Sequence, residues 1–398
     1  MSRAFLVVLD SVGCGGAPDA AAFADEGANT LAHIAEACAA GAAEEHRSGP
    51  LQLPNLGSLG LGEAVEAASG ATLGLPNVER GSYGAATEVS PGKDTPSGHW
   101  ELAGLPVPWD WHFFPPEAPS FPPDVLDAVK AAAGVESILG NCAASGTEIV
   151  AELGEEHLRT GWPICYTSTD SVFQIAAHED AFGLERLLKL CADIAPMLHA
   201  MKVGRVIARP FVGEPGTFQR TKNRRDFAIL PPERTLCDWV YDAGRPVHAV
   251  GKIGDIFTMR GITDVVKGTD AELLEELVRL TGEAEDGSLT FANFVEFDSL
   301  YGHRRDVSGY ARHLECFDHS LPRLIAGLKQ GDMLVLTADH GNDPTWRGTD
   351  HTRERVPVLI YQPGHAGIAL QPMGFADVGA TVAAHLGVES EGPGRAVL

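Results

Sequence analysis

The chain reads as an α/β protein: a mostly parallel sheet flanked by helices, interrupted by a second, inserted α/β domain. Three observations predict this. Apolar runs of strand length occur at 5–9 and 333–336, and 290–297 also reads as a strand, each followed by a polar or glycine-rich stretch. Helical periods lie among them, as at 271–280, where Leu273, Leu274, Leu277 and Leu280 share one face. Between 106 and 123 the composition changes, with Trp109, Trp111, Phe113, Phe114 and Phe121 crowded among prolines. That stretch reads as a linker leaving one domain for another. The insert is therefore placed at 109–228, and the core at 1–108 and 229–398.

Composition narrows the function. The 398 residues include 54 acidic and 30 basic side chains, a formal charge of −24. Such a chain lacks the basic footprint that a nucleic acid or an anionic membrane surface requires. Any phosphate site must carry its own local cations. The seven cysteines are odd in number and form no Cys-x-x-Cys, so they read as reduced thiols. The first apolar run is too short for a signal peptide, Asp10 interrupts it, and no stretch reaches transmembrane length. A cytoplasmic enzyme is the expectation.

Taken in order, the strand at 5–9 ends on Asp10, which suits a helix N-cap as well as a metal ligand. The glycines at 13, 15 and 16 have the wrong spacing for a dinucleotide fingerprint. A helix is predicted over 29–40, whereas 41–90 shows little period. The run 91–101, Pro-Gly-Lys-Asp-Thr-Pro-Ser-Gly-His-Trp-Glu, reads as a loop, functional or an ordinary turn. Thr95 and Ser97 are its candidate nucleophiles, and Pro96 restricts Thr95 to extended geometry. In the insert, strands are predicted at 163–167 and 203–207 with a helix at 184–199. Asp170 follows the first strand among hydroxyls. Arg209 ends the second and suits either a phosphate or a surface ion pair.

Beyond the insert, a strand at 247–252 brings Lys252 near its end. The strand at 290–297 delivers Asp298, with His303 five residues on. A helix is predicted at 321–328. The strand at 333–336 leads to Asp339, His340 and Gly341. His351 precedes a strand at 356–361 whose Pro357 suits a sheet edge, and a helix at 377–386 closes the chain.

Asp10, Asp298, His303, Asp339, His340 and His351 thus supply three carboxylates and three imidazoles, at or near strand ends. One mononuclear site rarely needs six such groups. Two sites of three leave positions open for a phosphate oxygen and a nucleophile. The mixture favours Mn²⁺, Zn²⁺ or Fe over Mg²⁺.

Several stretches carry a resemblance: Val-Val-Leu-Asp-Ser-Val-Gly at 7–13, Gly-Lys-Asp-Thr-Pro-Ser-Gly-His-Trp-Glu at 92–101, Ala-Ser-Gly-Thr-Glu-Ile at 144–149 and Tyr-Thr-Ser-Thr-Asp-Ser-Val at 166–172. So do Val-Gly-Arg-Val-Ile-Ala-Arg-Pro-Phe at 203–211, Phe-Asp-Ser-Leu-Tyr-Gly-His-Arg-Arg-Asp at 297–306, Ala-Asp-His-Gly-Asn-Asp at 338–343 and Gly-Thr-Asp-His-Thr-Arg-Glu at 348–354. Across nearly its whole length the chain resembles the prokaryotic phosphopentomutases of the alkaline phosphatase superfamily. The Asp-His-Gly and Asp-His-Thr pieces recur across that superfamily, while the 92–101 run is more specific to the mutases. The resemblance implies an alkaline-phosphatase-like core with an inserted cap, and an active site at their interface. It implies two Mn²⁺ ions, one held by Asp10, Asp339 and His340, the other by Asp298, His303 and His351. Thr95 would bridge them and carry the phosphoryl group, with Asp170, Arg209 and Lys252 at substrate-binding positions. The implied reaction interconverts α-D-ribose 1-phosphate and D-ribose 5-phosphate, and their 2-deoxyribose analogues, in nucleoside catabolism. It would run through a bisphosphate intermediate, with a bisphosphate sugar such as glucose 1,6-bisphosphate as activator. The alternatives are a two-metal phosphatase or phosphoglycerate mutase of the same superfamily, and a non-catalytic metal or sugar-phosphate binding protein.

Overall fold

The computed structural model describes residues 2–77, 80–168 and 170–398. The chain divides into two compact units, Met1–Pro108 with Pro231–Leu398, and Trp109–Leu230. Strands β1 (Ala4–Leu9) and β2 (Ser82–Thr87) precede the insert. It holds β3 (Leu139–Ala143), β4 (Ile164–Thr167), β5 (Val172–His178), β6 (Arg205–Val212), β7 (Gln219–Arg220) and β8 (Arg225–Ala228). After it come β9 (Val247–Val250), β10 (Asp264–Val266), β11 (Leu289–Phe294), β12 (Met333–Thr337), β13 (Val356–Tyr361) and β14 (Met373–Gly374).

The larger unit is built on one sheet of order β10-β9-β11-β1-β12-β13-β2-β14. From β10 to β12 every pairing is parallel; β13 runs antiparallel to both neighbours. Every residue of β1, β11 and β12 is buried. That is why β1 and most of β12 read as unbroken apolar runs, and why β11 is largely apolar on both sides: a central parallel strand is covered on both faces. The carboxyl ends of β1, β11 and β12 lie side by side, because Leu9 pairs with Phe294 and Val8 with Thr337. Residues that follow these strands therefore start out as neighbours.

Several elements differ from the sequence reading. Pro357 lies on an interior strand, since β13 sits between β12 and β2. The β12 ladder covers only Leu359, Ile360 and Tyr361, so Pro357 lies past its end and its missing N–H removes no β12 bond. The strand expected to run to 297 stops at Phe294, and Asp298 lies on a π-helical turn, Phe297–Gly302. The helix expected at 321–328 runs Val307–Gly327, its start capped by the Asp306 carboxylate accepting the Gly309 N–H. The predicted helix at 29–40 is present as Thr30–Ala39, with Asn29 as N-cap.

The insert has its own sheet, β3-β4-β5-β6-β7, with β8 also on β6. Its aromatic entry is not a linker. Phe114 and Phe121 are buried in the insert's core, where Phe121 lies 4.4 Å from Phe173 between ring centroids, beside Leu187, Leu190 and Ile194 of the helix Leu184–Ala200. Arg209 lies inside β6, not at a strand end. Antiparallel pairing on that edge passes from β8, opposite Arg205–Ala208, to β7, opposite Phe211–Val212, and Arg209-Pro210 falls in the gap.

All seven cysteines are free thiols; Cys14, Cys38, Cys165, Cys191 and Cys237 are buried, Cys142 is half-buried and Cys316 is exposed. Among the described residues, no helix is long and apolar enough to cross a membrane.

Candidate active site

Asp10 follows β1 directly, and Asp339 and His340 follow β12 after one intervening residue, Ala338. The three side chains meet: His340 Nε2 lies 3.6 Å from Asp10 Oδ1 and 3.3 Å from Asp339 Oδ2. All three are buried. The second group forms on the π-helical turn. His303 Nε2 is 3.1 Å from Asp298 Oδ2, and His351 Nε2 is 3.4 Å from Asp298 Oδ1. The two triads adjoin, with the His340 and His351 ring centroids 4.1 Å apart. Paired backbone bonds between Gly341 and Thr352, 3.1 and 2.8 Å, hold the two histidine-bearing segments together.

The run 92–101 is a helix start and not a loop. Thr95 opens the helix Thr95–Leu102, and the Asp94 carboxylate caps it by accepting the Ser97 N–H at 3.1 Å. Asp94 and Pro96 were the available signal, an N-cap residue with proline in the first turn. Thr95 Oγ1 stands 3.5 Å from His340 Nε2, at the first triad. Ser97 instead donates to Asp94 at 2.9 Å, so the helix cap occupies its hydroxyl.

The electrostatics of the pocket call for positive charge. Burial, then repulsion from Asp339 and Asp298, pushes the Asp10 carboxyl well above its ordinary range. Burial also acts to raise Asp298, but His351 and His303 outweigh it and hold that group well below the usual range. His340 and His99 likewise hold Asp339 low against burial. Burial depresses His340 to about 4, leaving its ring neutral and able to donate a lone pair at neutral pH.

Among the described residues, Asp10 Oδ1 and Asp339 Oδ2 are buried with no hydrogen-bond partner, and both face His340 Nε2. A buried carboxylate oxygen left unsatisfied is costly. A divalent cation among these three atoms would satisfy both oxygens, and the donor set is the right chemistry for one. In the first triad the opposite oxygens are engaged: Asp10 Oδ2 accepts from Asn293 Nδ2 at 2.8 Å and Asp339 Oδ1 from the Ser11 N–H at 3.0 Å; in the second, Asp298 Oδ1, which faces His351, also accepts from Asn342 Nδ2 at 2.7 Å. His303 Nδ1 faces the Thr349 carbonyl at 2.7 Å, which directs Nε2 inward. Arg305 ties the second triad's support together through Asn342, Gly302, Gly348 and Asp350. A third acid–imidazole group, Asp270, Glu296 and His313, stands apart in role. Asp270 Oδ2 already accepts the Glu296 N–H and faces His313 Nε2, bracing the helices Asp270–Glu283 and Val307–Gly327.

The family described as the Metalloenzyme superfamily matches residues 2–390. A phosphopentomutase of Rhizobium rhizogenes is 57% identical, with 100% of each chain covered. This chain belongs to the phosphopentomutase family. A second phosphopentomutase, from Rhizobium meliloti, is 58% identical with 100% of each chain covered. A solved structure of Leishmania mexicana phosphoglycerate mutase aligns over 99% of this chain and 97% of its own, at a TM-score of 0.46 and 13% identity. Like other phosphopentomutases this chain is an isomerase on an alkaline-phosphatase-like fold, and its family is one of metalloenzymes.

The remaining expected residues are placed as follows. Lys252 follows β9, is exposed, and lies close enough to Asp10 to favour the ionised carboxylate. Asp170 and Arg209 are in the insert. Asp170 Oδ2 pairs with Arg205 at 3.3 Å. Arg209 Nε donates to Gln174 Oε1 at 2.9 Å. Burial and the like charges of Arg224 and Arg220 weaken the guanidinium's hold on its proton. Thr169, within the 166–172 motif, lies outside the described residues. Sequence reading assigned no role to His99, Asn293 or Asn342. For Asn293 the signal was an amide in an otherwise apolar strand, since a fully buried polar group must find partners.

Proposed function

We propose that this phosphopentomutase interconverts α-D-ribose 1-phosphate and D-ribose 5-phosphate, with their 2-deoxyribose analogues, through a phosphothreonine at Thr95. The observation that carries the reading is the 3.5 Å approach of Thr95 Oγ1 to His340, beside six convergent acid and imidazole groups. Asp10, Asp339 and His340 would hold one Mn²⁺, and Asp298, His303 and His351 the other. When bound, the two ions supply Lewis-acid activation of an otherwise weak alcohol nucleophile.

The chain's own residues do the rest. Thr95, at a helix N-terminus, meets the phosphoryl group where backbone N–H groups and the helix dipole favour negative charge. Phospho-Thr95 passes its phosphoryl group to the free hydroxyl of the sugar monophosphate. The bond from phosphorus to Oγ1 breaks, one to the sugar oxygen forms, and the hydroxyl proton ends on Thr95. The sugar bisphosphate turns over and passes its other phosphoryl group to Thr95: the bond from phosphorus to that sugar oxygen breaks, one to Oγ1 forms, and the threonine proton ends on the freed sugar hydroxyl. Arg209 and Lys252 bind phosphate, and Asp170 positions the sugar. The insert acts as a cap domain, and glucose 1,6-bisphosphate or a similar sugar primes the threonine. The enzyme works in the cytoplasm.

The test is phosphorus NMR of ribose 5-phosphate with enzyme, Mn²⁺ and a catalytic amount of glucose 1,6-bisphosphate. A ribose 1-phosphate signal growing to equilibrium is expected. Release of inorganic phosphate alone would make the protein a hydrolase and overturn the reading.

A further inference from the structure

His99 lies one helical turn after Thr95 and is fully buried. Its ring stacks near Phe291 of β11, with centroids 6.0 Å apart. Nδ1 stands 2.9 Å from the Thr95 backbone carbonyl. Asp339 Oδ2 is 3.1 Å from the same nitrogen but outside the hydrogen-bond direction, a second acceptor beside the carbonyl. Both neighbours are acceptors, so Nδ1 must carry hydrogen. On the other side, Nε2 lies 3.1 Å from Asn293 Nδ2. That amide nitrogen also donates to Asp10 Oδ2 at 2.8 Å. Turning the amide over would set its oxygen against the Asp10 carboxylate, so Asp10 fixes its orientation. Nε2 is then the acceptor, and His99 is the Nδ1–H tautomer.

The result is one continuous chain of contacts: Asp10, Asn293, His99 and the Thr95 carbonyl. It begins on a carboxylate of the first triad and ends on the main chain of the candidate nucleophile. We propose that His99 is a positioning residue, a buried imidazole whose Nδ1–H sets where Thr95 stands relative to the Asp10–Asp339–His340 triad. The proposal rests on the phosphothreonine reading above. Oriented groups one shell out from the chemistry are worth about 10–100-fold when removed. A small misplacement of a nucleophile lowers rate more than ground-state binding.

Two variants separate positioning from mere packing. His99→Leu fills space without a donor; His99→Asn restores an N–H close to the place of Nδ1. Each, with wild type, is treated with Mn²⁺ and glucose 1,6-bisphosphate, and phosphorylation of Thr95 is followed by intact mass alongside kcat and KM for ribose 5-phosphate. His99→Leu should lose about 10–100-fold in kcat and in the phosphorylation rate, with KM nearly unchanged, and His99→Asn should recover most of it. Equal phosphorylation of His99→Leu and wild type would overturn the proposal, as would an Asn variant no better than Leu. The tautomer is read in the wild type without metal or substrate by nitrogen-15 NMR, where a hydrogen found on Nε2 also overturns it. A wild type that never takes a phosphoryl group on Thr95 removes the phosphothreonine reading, and the positioning role with it; a wild type that is phosphorylated, with His99→Leu its equal or His99→Asn no better than Leu, removes only the latter.

Discussion

Gly98 packs against the main chain of Asp339 with no room for a side chain. A Cβ at position 98 would overlap the Asp339 carbonyl oxygen and stand 2.8 Å from the Asp339 Cβ. The helix that starts with Thr95 is thus pressed onto the segment that carries Asp339 and His340. Helix propensity alone would favour alanine over glycine here by about 1 kcal/mol. The overlap reverses the sign: Gly98→Ala should destabilise by about 1–3 kcal/mol and cut turnover. Chemical unfolding and a rate assay check both. A stabilised, fully active variant would mean that the contact is looser than described.

Thr95→Ala should abolish mutase turnover while leaving the fold intact. Its Oγ1 touches His340 only at 3.5 Å and anchors nothing else among the described contacts, so thermal unfolding should move little. Retention of near wild-type turnover would exclude a phosphothreonine.

Divalent metal should stabilise the folded protein, because the facing oxygens of Asp10 and Asp339 lack other partners. A site filled at a hundred times its Kd adds about 2.7 kcal/mol by mass action. Thermal midpoints with Mn²⁺ and with a chelator measure this. Asp339→Asn should shrink the difference. An unchanged midpoint would argue that no metal binds at the triads.

How much of this was legible beforehand depends on the kind of strand. β1, β11 and β12 announce themselves because both faces are buried. β2, Ser82–Thr87, was missed: it is built from small residues with alternating burial, and its sequence, Ser-Tyr-Gly-Ala-Ala-Thr, has no apolar run. The helices Pro54–Ser58 and Leu61–Ser69 were missed in the same stretch, since alanine and glycine give weak periodicity. The triad side chains could be proposed because each arrives after or near an apolar run. Their grouping into two sets came from family resemblance, because strand order across a sheet is not written in local pattern. The helix at Thr95 was lost to its Gly, Pro and Ser content, although Asp94 and Pro96 marked its start. Of the long helix from Val307 only the end, 321–328, was read, and Pro322 sits within the helix.

Glu354, packed against Gly341 behind the triads, gives a pH test on a carboxyl that belongs to neither of them. It is fully buried, and its two oxygens accept from the Gly15 and Thr30 N–H groups and the Thr30 and Thr352 hydroxyls at 2.6–2.9 Å. Burial outweighs those bonds and lifts the carboxyl from 4.5 to about 7. A raised carboxyl binds its proton more tightly folded than unfolded. Its contribution is therefore greatest below pH 4.5 and is lost as pH rises toward 7. Glutamine imitates the protonated acid. From pH 4.5 to 8, the stability of Glu354→Gln relative to wild type should rise by about 3 kcal/mol. Parallel pH profiles for the two proteins would contradict this.

Arg209→Gln should raise KM for ribose 5-phosphate by roughly 10–100-fold, the worth of one charged hydrogen bond, with kcat less affected. Initial rates at constant ionic strength distinguish the two. An unchanged KM would remove Arg209 from substrate binding.

The distribution of the thiols has a practical consequence. Cys14, Cys165, Cys191 and Cys237 lie in the interior, where burial pushes each sulfur's pKa up and keeps it in the unreactive S–H form. Cys316 alone is exposed, on the helix that begins four residues after His303 and ends at Gly327. A maleimide dye should therefore couple there first without mutagenesis. Its emission would offer an optical gauge of how the adjoining histidine turn responds as cations are supplied or withdrawn.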